Sequence, residues 1–257
     1  MANFDPRYTS APVATADAQD AGLRAYMLHV YNYMLAGLAV TGIASWLLYA
    51  IAVTTNPADA VVTLQSGVML TSVGQILFLT PLRWVVMFSP VALVLLLQFR
   101  LSHMSVGAAL AAFVAYAGLV GVSMGTISLI VYTGSSIAQV FFITAAAFGG
   151  LSLFGYSTKR DLSGFGSFLI MGVWGLFIAF IVNIWLKSPM LMWVASVAGV
   201  FIFAGMTAYD TQSIKNMYYV GDDGTVTGRK AVTGALRLYL DFINMFMMLL
   251  NLMGNRR

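Results

Sequence analysis

The sequence predicts an all-α membrane protein built as a bundle of seven transmembrane helices. Of its 257 residues, 60% are hydrophobic and only 9% are charged, which is far from the composition of a soluble domain. The hydrophobic residues are gathered in segments of about 20 residues, the length that a helix needs to cross a bilayer core. The chain has no cysteine, so disulfides, thiolate metal sites and cysteine nucleophiles are excluded.

A polar N-terminal segment precedes the membrane region. Residues 1–24 are rich in Ala, Ser, Thr and Asp and lack the apolar core of a signal peptide, so we expect a disordered tail. Residues 25–257 form the predicted transmembrane domain. Its seven spans are expected at about 26–53, 84–99, 105–126, 136–156, 165–186, 189–214 and 232–253.

The second predicted span is the weakest of the seven. It is short and contains Ser89-Pro90, although proline is tolerated in membrane helices when the freed backbone groups find other partners. The preceding residues 54–83 are mildly apolar. They are compatible with an interfacial or a re-entrant segment, and the sequence does not decide between these two.

Basic residues indicate the orientation of the chain. With the N-terminus in the cytoplasm, nine Lys and Arg residues lie on the cytoplasmic side and four on the other, which favours this orientation under the positive-inside rule. The cytoplasmic set is Arg7, Arg24, Arg100, Lys159, Arg160, Lys215, Arg229, Lys230 and Arg237, and the opposite set is Arg83, Lys187, Arg256 and Arg257.

Several functional classes lack the residues that they need. The 13 Lys and Arg residues form no basic stripe with interleaved aromatic side chains, so no nucleic-acid partner is expected. His29 and His103 are too few and too far apart for a zinc site. No nucleophile and base share a site, and the last span has no lysine for a retinal Schiff base. We therefore expect neither an enzyme nor a bound cofactor.

Two carboxylates lie within predicted spans. All nine acids are Asp, and seven of them fall in the tail or in loops, where a solvated charge is expected. Asp210 and Asp241 remain, and a charge at the bilayer centre costs about 2.5–3.5 kcal/mol, so such residues are candidates for function. The two are equally far from the predicted turn GDDGTVTGRK (221–230), so an antiparallel hairpin would place them at a similar depth.

Helical periodicity places the polar residues of the last span on one stripe. From Gly234, alternating steps of three and four residues pass through every strongly polar residue of the span. The stripe consists of Arg237, Asp241, Asn244, Met248 and Asn251. We expect it to face protein or water, with the other faces toward apolar side chains or lipid. In span six, Thr207 and Thr211 have the spacing to hydrogen-bond Asp210.

Two buried carboxylates in contact have a definite chemistry. They cannot both ionise easily, so the pair would share one proton and act as a pH-sensitive latch. Ionised carboxylates beside water also attract hard cations, which makes Asp210 and Asp241 a candidate Ca²⁺ site. Arg100, at the inner end of span two, is a candidate partner that could lock either acid in one state and release it in another. Alternatively, each Asp makes its own structural hydrogen bonds or ion pair, independent of the other. Arg100 is equally well explained as a basic residue that only fixes the orientation of the helix under the positive-inside rule.

At these residues the sequence resembles the Bax inhibitor-1 family of membrane proteins, from the first span onward. The matching segments are VYTGSSIAQVF (131–141), FGYSTKRDLSGFGSFL (154–169), AYDTQSIK (208–215) and LYLDFINMF (238–246). The resemblance implies a seven-helix bundle with the C-terminal helix at its centre. It also implies a Ca²⁺ leak whose pH sensitivity depends on Asp210 and Asp241, with Arg100 as the lock residue.

One part of the family pattern is missing. Some members carry an acid in the second helix and a base in the last one, but the matching positions here are Ser89 and Asn251. This departure weakens the carry-over of a second charged gate to this chain.

The predicted function is a pH-sensitive Ca²⁺ leak channel of a bacterial inner membrane, gated by the aspartate pair and supported by Thr207, Thr211, Arg237 and Asn244. Its expected partners are lipid, Ca²⁺ and protons. Two other functions stay open. Similar bacterial proteins have been linked to a membrane-anchored AAA protease, so the chain could be a membrane-embedded regulator, and buried acids also serve proton-coupled carriers. Partner binding would survive neutralisation of both acids, whereas the leak would not.

Overall fold

The computed structural model describes residues 16–64, 67–125 and 131–255. The α-helices in these residues are α1 Ala16–Ala52, α2 Ser72–Leu79, α3 Leu82–Arg100, α4 Val106–Val120, α5 Gly134–Ser157, α6 Ser163–Leu186, α7 Pro189–Asn216 and α8 Gly224–Met253. A 3₁₀ turn, Leu101–His103, follows α3, and a π-helical segment, Gly121–Gly125, follows α4. Three short strands are β1 Val53–Thr54, β2 Val62–Thr63 and β3 Met69–Leu70.

Seven of these helices, all except α2, are long and apolar enough to cross a membrane. The predicted fold class is therefore confirmed for the described residues, and the protein is an integral membrane protein. Each predicted span coincides with one of the seven helices, and the differences lie mainly at the helix ends.

The first helix begins earlier than the sequence predicts. The expected tail reaches residue 24, but α1 starts at Ala16, so the prediction is wrong for residues 16–24. Residues 1–15 lie outside the described part of the chain. The stretch ADAQDAGLR contains Ala, Gln, Leu and Arg, which are good helix formers. The next turn buries Tyr26 and Met27 in the core, so packing supports the helix at its start.

The proline in α3 is accommodated without ending the helix. Pro90 has no N–H and cannot bond the carbonyl four residues earlier, that of Val86. The Ser89 hydroxyl donates to this carbonyl over 3.0 Å. The second predicted span is therefore a continuous helix of 19 residues, because a neighbouring side chain satisfies the group that proline frees.

The segment between α1 and α3 is a small sheet followed by a short helix. The strands pair antiparallel in the order β1-β3-β2, and α2 has only eight residues. Thr71 caps α2 by accepting a hydrogen bond from the Gly74 N–H, and its hydroxyl also donates to the Ile51 carbonyl at the end of α1. The described part of residues 54–83 therefore contains no helix long enough to span the membrane.

Helices α1 and α4 approach each other closely beside the π-helical segment. A β-carbon at Gly121 would overlap the Thr41 carbonyl of α1, so glycine is required at this contact. The Thr41 hydroxyl lies 2.9 Å from the Ala117 carbonyl of α4 and 2.6 Å from the Tyr239 hydroxyl of α8. One threonine thus joins three helices inside the bundle.

The last helix lies at the centre of the bundle, as the family resemblance implies. It packs against α1, α4, α5 and α7, and it is the most buried of the seven spans. Its side chains form much of the main core, including Leu238, Tyr239, Phe242 and Met245. Any ionisable group on α8 at this level is therefore surrounded by protein rather than by lipid.

Candidate functional site

The hairpin of α7 and α8 positions the two intramembrane acids. The turn lies at 217–223 and α8 begins at Gly224, so the segment predicted as a turn (221–230) is mostly helical and the predicted start at residue 232 is too late. Asp223 caps α8 by accepting a hydrogen bond from the Val226 N–H over 2.7 Å. This cap allows α8 to begin two turns before its apolar part.

Contacts along the hairpin set the register of the two helices. The Lys230 ammonium group donates to the Met217 carbonyl over 2.9 Å and also pairs with Asp222. Further into the membrane, a β-carbon at Gly234 would lie 2.9 Å from the Ile214 side chain, so the helices touch there. Antiparallel helices that meet at these two points bring residues 210 and 241 to within about one turn of the same level.

Asp210 and Asp241 face each other inside the bundle. Their side chains are 6% and 3% exposed, and their carboxyl groups lie within hydrogen-bonding range of each other. Oδ2 of Asp241 is buried and accepts no hydrogen bond from any donor group in the described residues. A hydrogen bond between two carboxyl groups requires a proton on one of them. The geometry therefore suits a pair that holds one proton.

Arg237, rather than Arg100, is the basic residue near the pair. Arg237 lies one turn before Asp241 on α8, is half-buried, and acts electrostatically on both carboxylates. Arg100 is exposed at the end of α3 and forms no ion pair with either acid in this conformation. The predicted neighbourhood of Arg100 and Asp241 is thus absent here. Arg237 lies closer because it shares a helix face with Asp241, whereas α3 is peripheral.

The two threonines beside Asp210 do not hydrogen-bond its carboxylate. The Thr207 hydroxyl donates to the Phe203 carbonyl over 2.8 Å, and the Thr211 hydroxyl donates to the Thr207 carbonyl over 2.7 Å. Hydroxyls within a helix commonly bond the carbonyl four residues earlier, and this competes with the predicted contact. The prediction that both threonines bond Asp210 is therefore wrong in this structure.

A chain of hydroxyl groups instead connects Thr211 with α5 and α1. The Ser152 hydroxyl lies 3.0 Å from that of Thr211, and the Tyr31 hydroxyl lies 2.6 Å from that of Ser152. Sequence reasoning missed both Tyr31 and Ser152. Ser152 lies three residues before Gly155, and a β-carbon at Gly155 would overlap the Ala208 backbone, a contact that is visible only in the structure.

The polar stripe of α8 divides among different neighbours. Asn244 donates its amide to the Leu240 carbonyl over 2.8 Å and faces a cavity between α3, α4 and α8. Asn251 accepts a hydrogen bond from the Tyr132 hydroxyl over 3.0 Å. Met248 is buried against Gly199 of α7. Because α8 is central, its polar residues meet separate helices rather than one common surface.

A loop at the same end of the bundle as the hairpin turn is anchored to α7. Gln212 accepts a hydrogen bond from the Leu162 N–H and donates one to the Arg160 carbonyl, each over 2.8 Å. Asp161 in this loop is fully exposed, and hydrogen bonds from the side chain and the backbone of Ser163 lower the pKa of its carboxyl group. Two of the segments that carry the family resemblance therefore touch each other through Gln212.

The described residues contain no group of three or more His, Cys, Asp and Glu side chains arranged to hold a metal ion. Ca²⁺ binds six to eight oxygen atoms, and a pair of carboxylates supplies at most four of them. Any ion at Asp210 and Asp241 would therefore keep much of its water.

Comparisons with other proteins agree with the fold. A family described as "Inhibitor of apoptosis-promoting Bax1" matches residues 23–257, which include both aspartates. A protein of Caulobacter vibrioides is 45% identical over 260 residues, covering all of both chains. The inner membrane protein YbhL of Escherichia coli is 43% identical over 240 residues, 92% of this chain and 94% of YbhL. A protein of Rickettsia prowazekii is 42% identical over 238 residues, 93% of this chain and 92% of its own.

Proposed function

The chain belongs to the Bax inhibitor-1 family, and from this premise we propose that it is a pH-sensitive Ca²⁺ leak channel gated by Asp210 and Asp241. The E. coli relative YbhL is an inner membrane protein, and we propose the same membrane for this chain, with its N-terminus in the cytoplasm. The family membership and the seven spans support a function in the membrane. The aspartate pair supports the proposal that this function is a pH-sensitive leak.

One observation carries the proposal: two nearly fully buried carboxyl groups lie within hydrogen-bonding range at the contact of α7 with the central helix. Two unit charges about 4 Å apart repel by about 4 kcal/mol at an effective dielectric constant of about 20. A shared proton removes this repulsion and ties the helices together. As the pH rises and the proton leaves, the doubly charged pair pushes α7 and α8 apart.

The opened contact would be attractive to a cation. Two ionised carboxylates in a water-containing gap concentrate positive charge and provide oxygen ligands, which hard ions such as Ca²⁺ prefer. Arg237, one turn before Asp241 on α8, acts electrostatically on both acids and limits how strongly they hold an ion. We therefore propose that protonation closes the path and that loss of the proton opens it.

The test is Ca²⁺ flux through the purified protein in liposomes, over a pH series from mildly acidic to mildly alkaline. The wild type is compared with Asp210→Asn, Asp241→Asn and the double variant. Asp59→Asn is the matched control, because Asp59 is an exposed acid in the segment between α1 and α3. We expect the flux of the wild type and the control to rise with pH, and that of the site variants to lose this dependence. An unchanged pH profile in both single variants would refute the latch.

A further inference from the structure

We propose that a lateral groove along α3 binds one acyl chain of an anionic phospholipid, with the phosphate of the headgroup held at Arg83. The groove lies on the side of α3 that faces α2, α4 and α8, and neither aspartate lines it. This site goes beyond the proposed leak and does not depend on it.

The deeper part of the groove is a cavity between three helices. It has a volume of about 370 Å³ and is lined by Met87, Val91 and Val94 of α3, by Val120 of α4 and by Ile243 of α8, among others. These side chains are apolar. A long hydrocarbon chain fits this kind of wall, whereas a polar ligand would have to leave its water without replacement.

Three residues of this wall, Tyr116, Ser123 and Asn244, carry polar side-chain groups, and the last two hydrogen-bond carbonyls of their own helical segments. The Asn244 amide donates to the Leu240 carbonyl over 2.8 Å, and the Ser123 hydroxyl donates to the Val120 carbonyl over 3.3 Å. These bonds use the Ser123 hydroxyl hydrogen and one of the two N–H groups of the Asn244 amide. Most of the side chains at the inner end of the groove are nevertheless apolar, which suits a hydrocarbon chain.

The shallower part of the groove lies between α2 and α3. It has a volume of about 490 Å³, and its lining includes Phe78 of α2 and Arg83, Trp84 and Met87 of α3. Met87 lines both parts, so they adjoin along the same face of α3. Together they form one groove from the end of the bundle that carries the strands to the middle of the membrane.

The length of the groove matches one leaflet of a bilayer. From Arg83 to Val94 there are 11 helical steps in the sequence, which correspond to a rise of about 16 Å. The hydrocarbon core of a bilayer is about 30 Å thick, so one leaflet contributes about 15 Å. An acyl chain that enters beside Arg83 would end near the bilayer centre, at the level of Val94 and Ile243.

The outer end of the groove carries an uncompensated positive charge. Arg83 is exposed, its guanidinium lies 5.0 Å from the centre of the Trp84 ring, and it forms no ion pair within the described residues. Tryptophan and arginine at the end of a membrane helix lie at the level of lipid headgroups. The planar guanidinium fits a phosphate group in two-point hydrogen bonding, which gives an anionic headgroup an advantage over a zwitterionic one.

The position of α3 favours lipid over a protein partner as the occupant. Only 11% of the residues in the most apolar 18-residue stretch of α3 are buried. This is the smallest share among the seven spans found in the described residues. This flank therefore borders the bilayer, where lipid is always present at high concentration. The charge at one end of the groove matches the phosphate headgroup of a phospholipid, and the apolar wall, about as long as one leaflet is thick, matches its acyl chain.

The test is native mass spectrometry of the purified full-length protein with added dipalmitoyl phosphatidylglycerol or dipalmitoyl phosphatidylcholine. We expect the wild type to retain the anionic lipid about tenfold better, since a charge-assisted hydrogen bond of typical strength corresponds to that ratio. Arg83→Gln should remove this preference. Lys187→Gln is the matched control, because Lys187 is an exposed basic residue at the same end of the bundle.

A second pair of variants tests the groove itself. Met87→Trp fills the point where its two parts meet and should weaken the binding of both lipids, whereas Leu96→Trp changes a side chain that is 64% exposed and outside the groove. Equal retention of both lipids by the wild type, equal losses in Arg83→Gln and Lys187→Gln, or no effect of Met87→Trp would overturn the proposal. Displacement of the anionic lipid by inorganic phosphate alone would also overturn it, because no acyl chain would then be needed.

Discussion

Gly155 of α5 touches the backbone of Ala208 of α7, two residues before Asp210. A β-carbon at position 155 would overlap the Ala208 carbonyl group, so no other residue fits without moving a helix. This close approach brings α5 against α7 and places Ser152 within hydrogen-bonding distance of Thr211. The packing of small residues thus supports the helix that carries one of the two acids.

Gly155→Ala should therefore destabilise the protein although alanine favours helices. We expect a loss of about 1–3 kcal/mol, because the added methyl group meets backbone atoms that cannot rotate away. Gly150→Ala is the control, since a β-carbon at the exposed Gly150 meets nothing nearby. Thermal unfolding in detergent measures the stability of both variants. Equal stability of the two variants would mean that the contact of α5 with α7 is looser than described.

Ser152→Ala should break the hydroxyl chain between α1, α5 and α7. The change removes the partner of the Tyr31 hydroxyl and one of the two partners of the Thr211 hydroxyl, so we expect a loss of about 1–3 kcal/mol. Ser157→Ala is the control, because the exposed Ser157 hydroxyl bonds carbonyls of its own helix. The measurement is the free energy of unfolding of both variants. A loss in Ser152→Ala no larger than that in Ser157→Ala would contradict the role of Ser152.

Arg237→Gln should destabilise the protein more at mildly alkaline than at mildly acidic pH. When Asp210 and Asp241 are both charged, Arg237 is the basic group that acts on both of them, and its loss leaves their repulsion uncompensated. We expect a difference of about 1 kcal/mol between the two conditions. Arg100→Gln is the matched control, because Arg100 is exposed and unpaired with either acid. The same pH dependence in both variants would show that Arg237 is not the compensating charge.

Ser163→Ala should raise the pKa of the Asp161 carboxyl group. The Ser163 side chain is the main cause that keeps this pKa below its usual range, and the backbone N–H of Ser163 adds to it. A lowered pKa stabilises the loop when the group is ionised, so this contribution is present at neutral pH and is lost as the pH falls through the lowered value. Titration of the labelled Asp161 carboxyl carbon by NMR measures the shift. An unchanged midpoint in Ser163→Ala would leave the backbone N–H as the sole cause.

Predictions from periodicity and length succeeded where the bilayer itself imposes the pattern. A helix must expose about 20 apolar residues to cross the hydrocarbon core, so the seven spans were readable from the composition of each segment. The ends of the helices were harder to predict from composition. Asp223 caps α8, and the core contacts of Tyr26 and Met27 extend α1, and neither effect depends on hydropathy.

The predicted partners of the acids failed for a different reason. Thr207 and Thr211 flank Asp210 in the sequence, but their hydroxyls bond helix carbonyls instead. Arg100 has the right level along the membrane, but α3 is peripheral and Arg237 is nearer to both acids. Spacing along one helix indicates which residues share a face, and it does not say which helix that face meets.

The sequence by itself determined the membrane class, the seven spans, the family resemblance, and the two aspartates as the acids inside those spans, because each depends on local composition or on a short segment. Only the tertiary structure decided that the two carboxyl groups meet, that Arg237 is their charged neighbour, and that a groove runs along α3 to Arg83. These relationships depend on how helices far apart in the chain pack together. Close contacts at residues such as Gly121 and Gly155 decide that packing, and their partners lie on other helices.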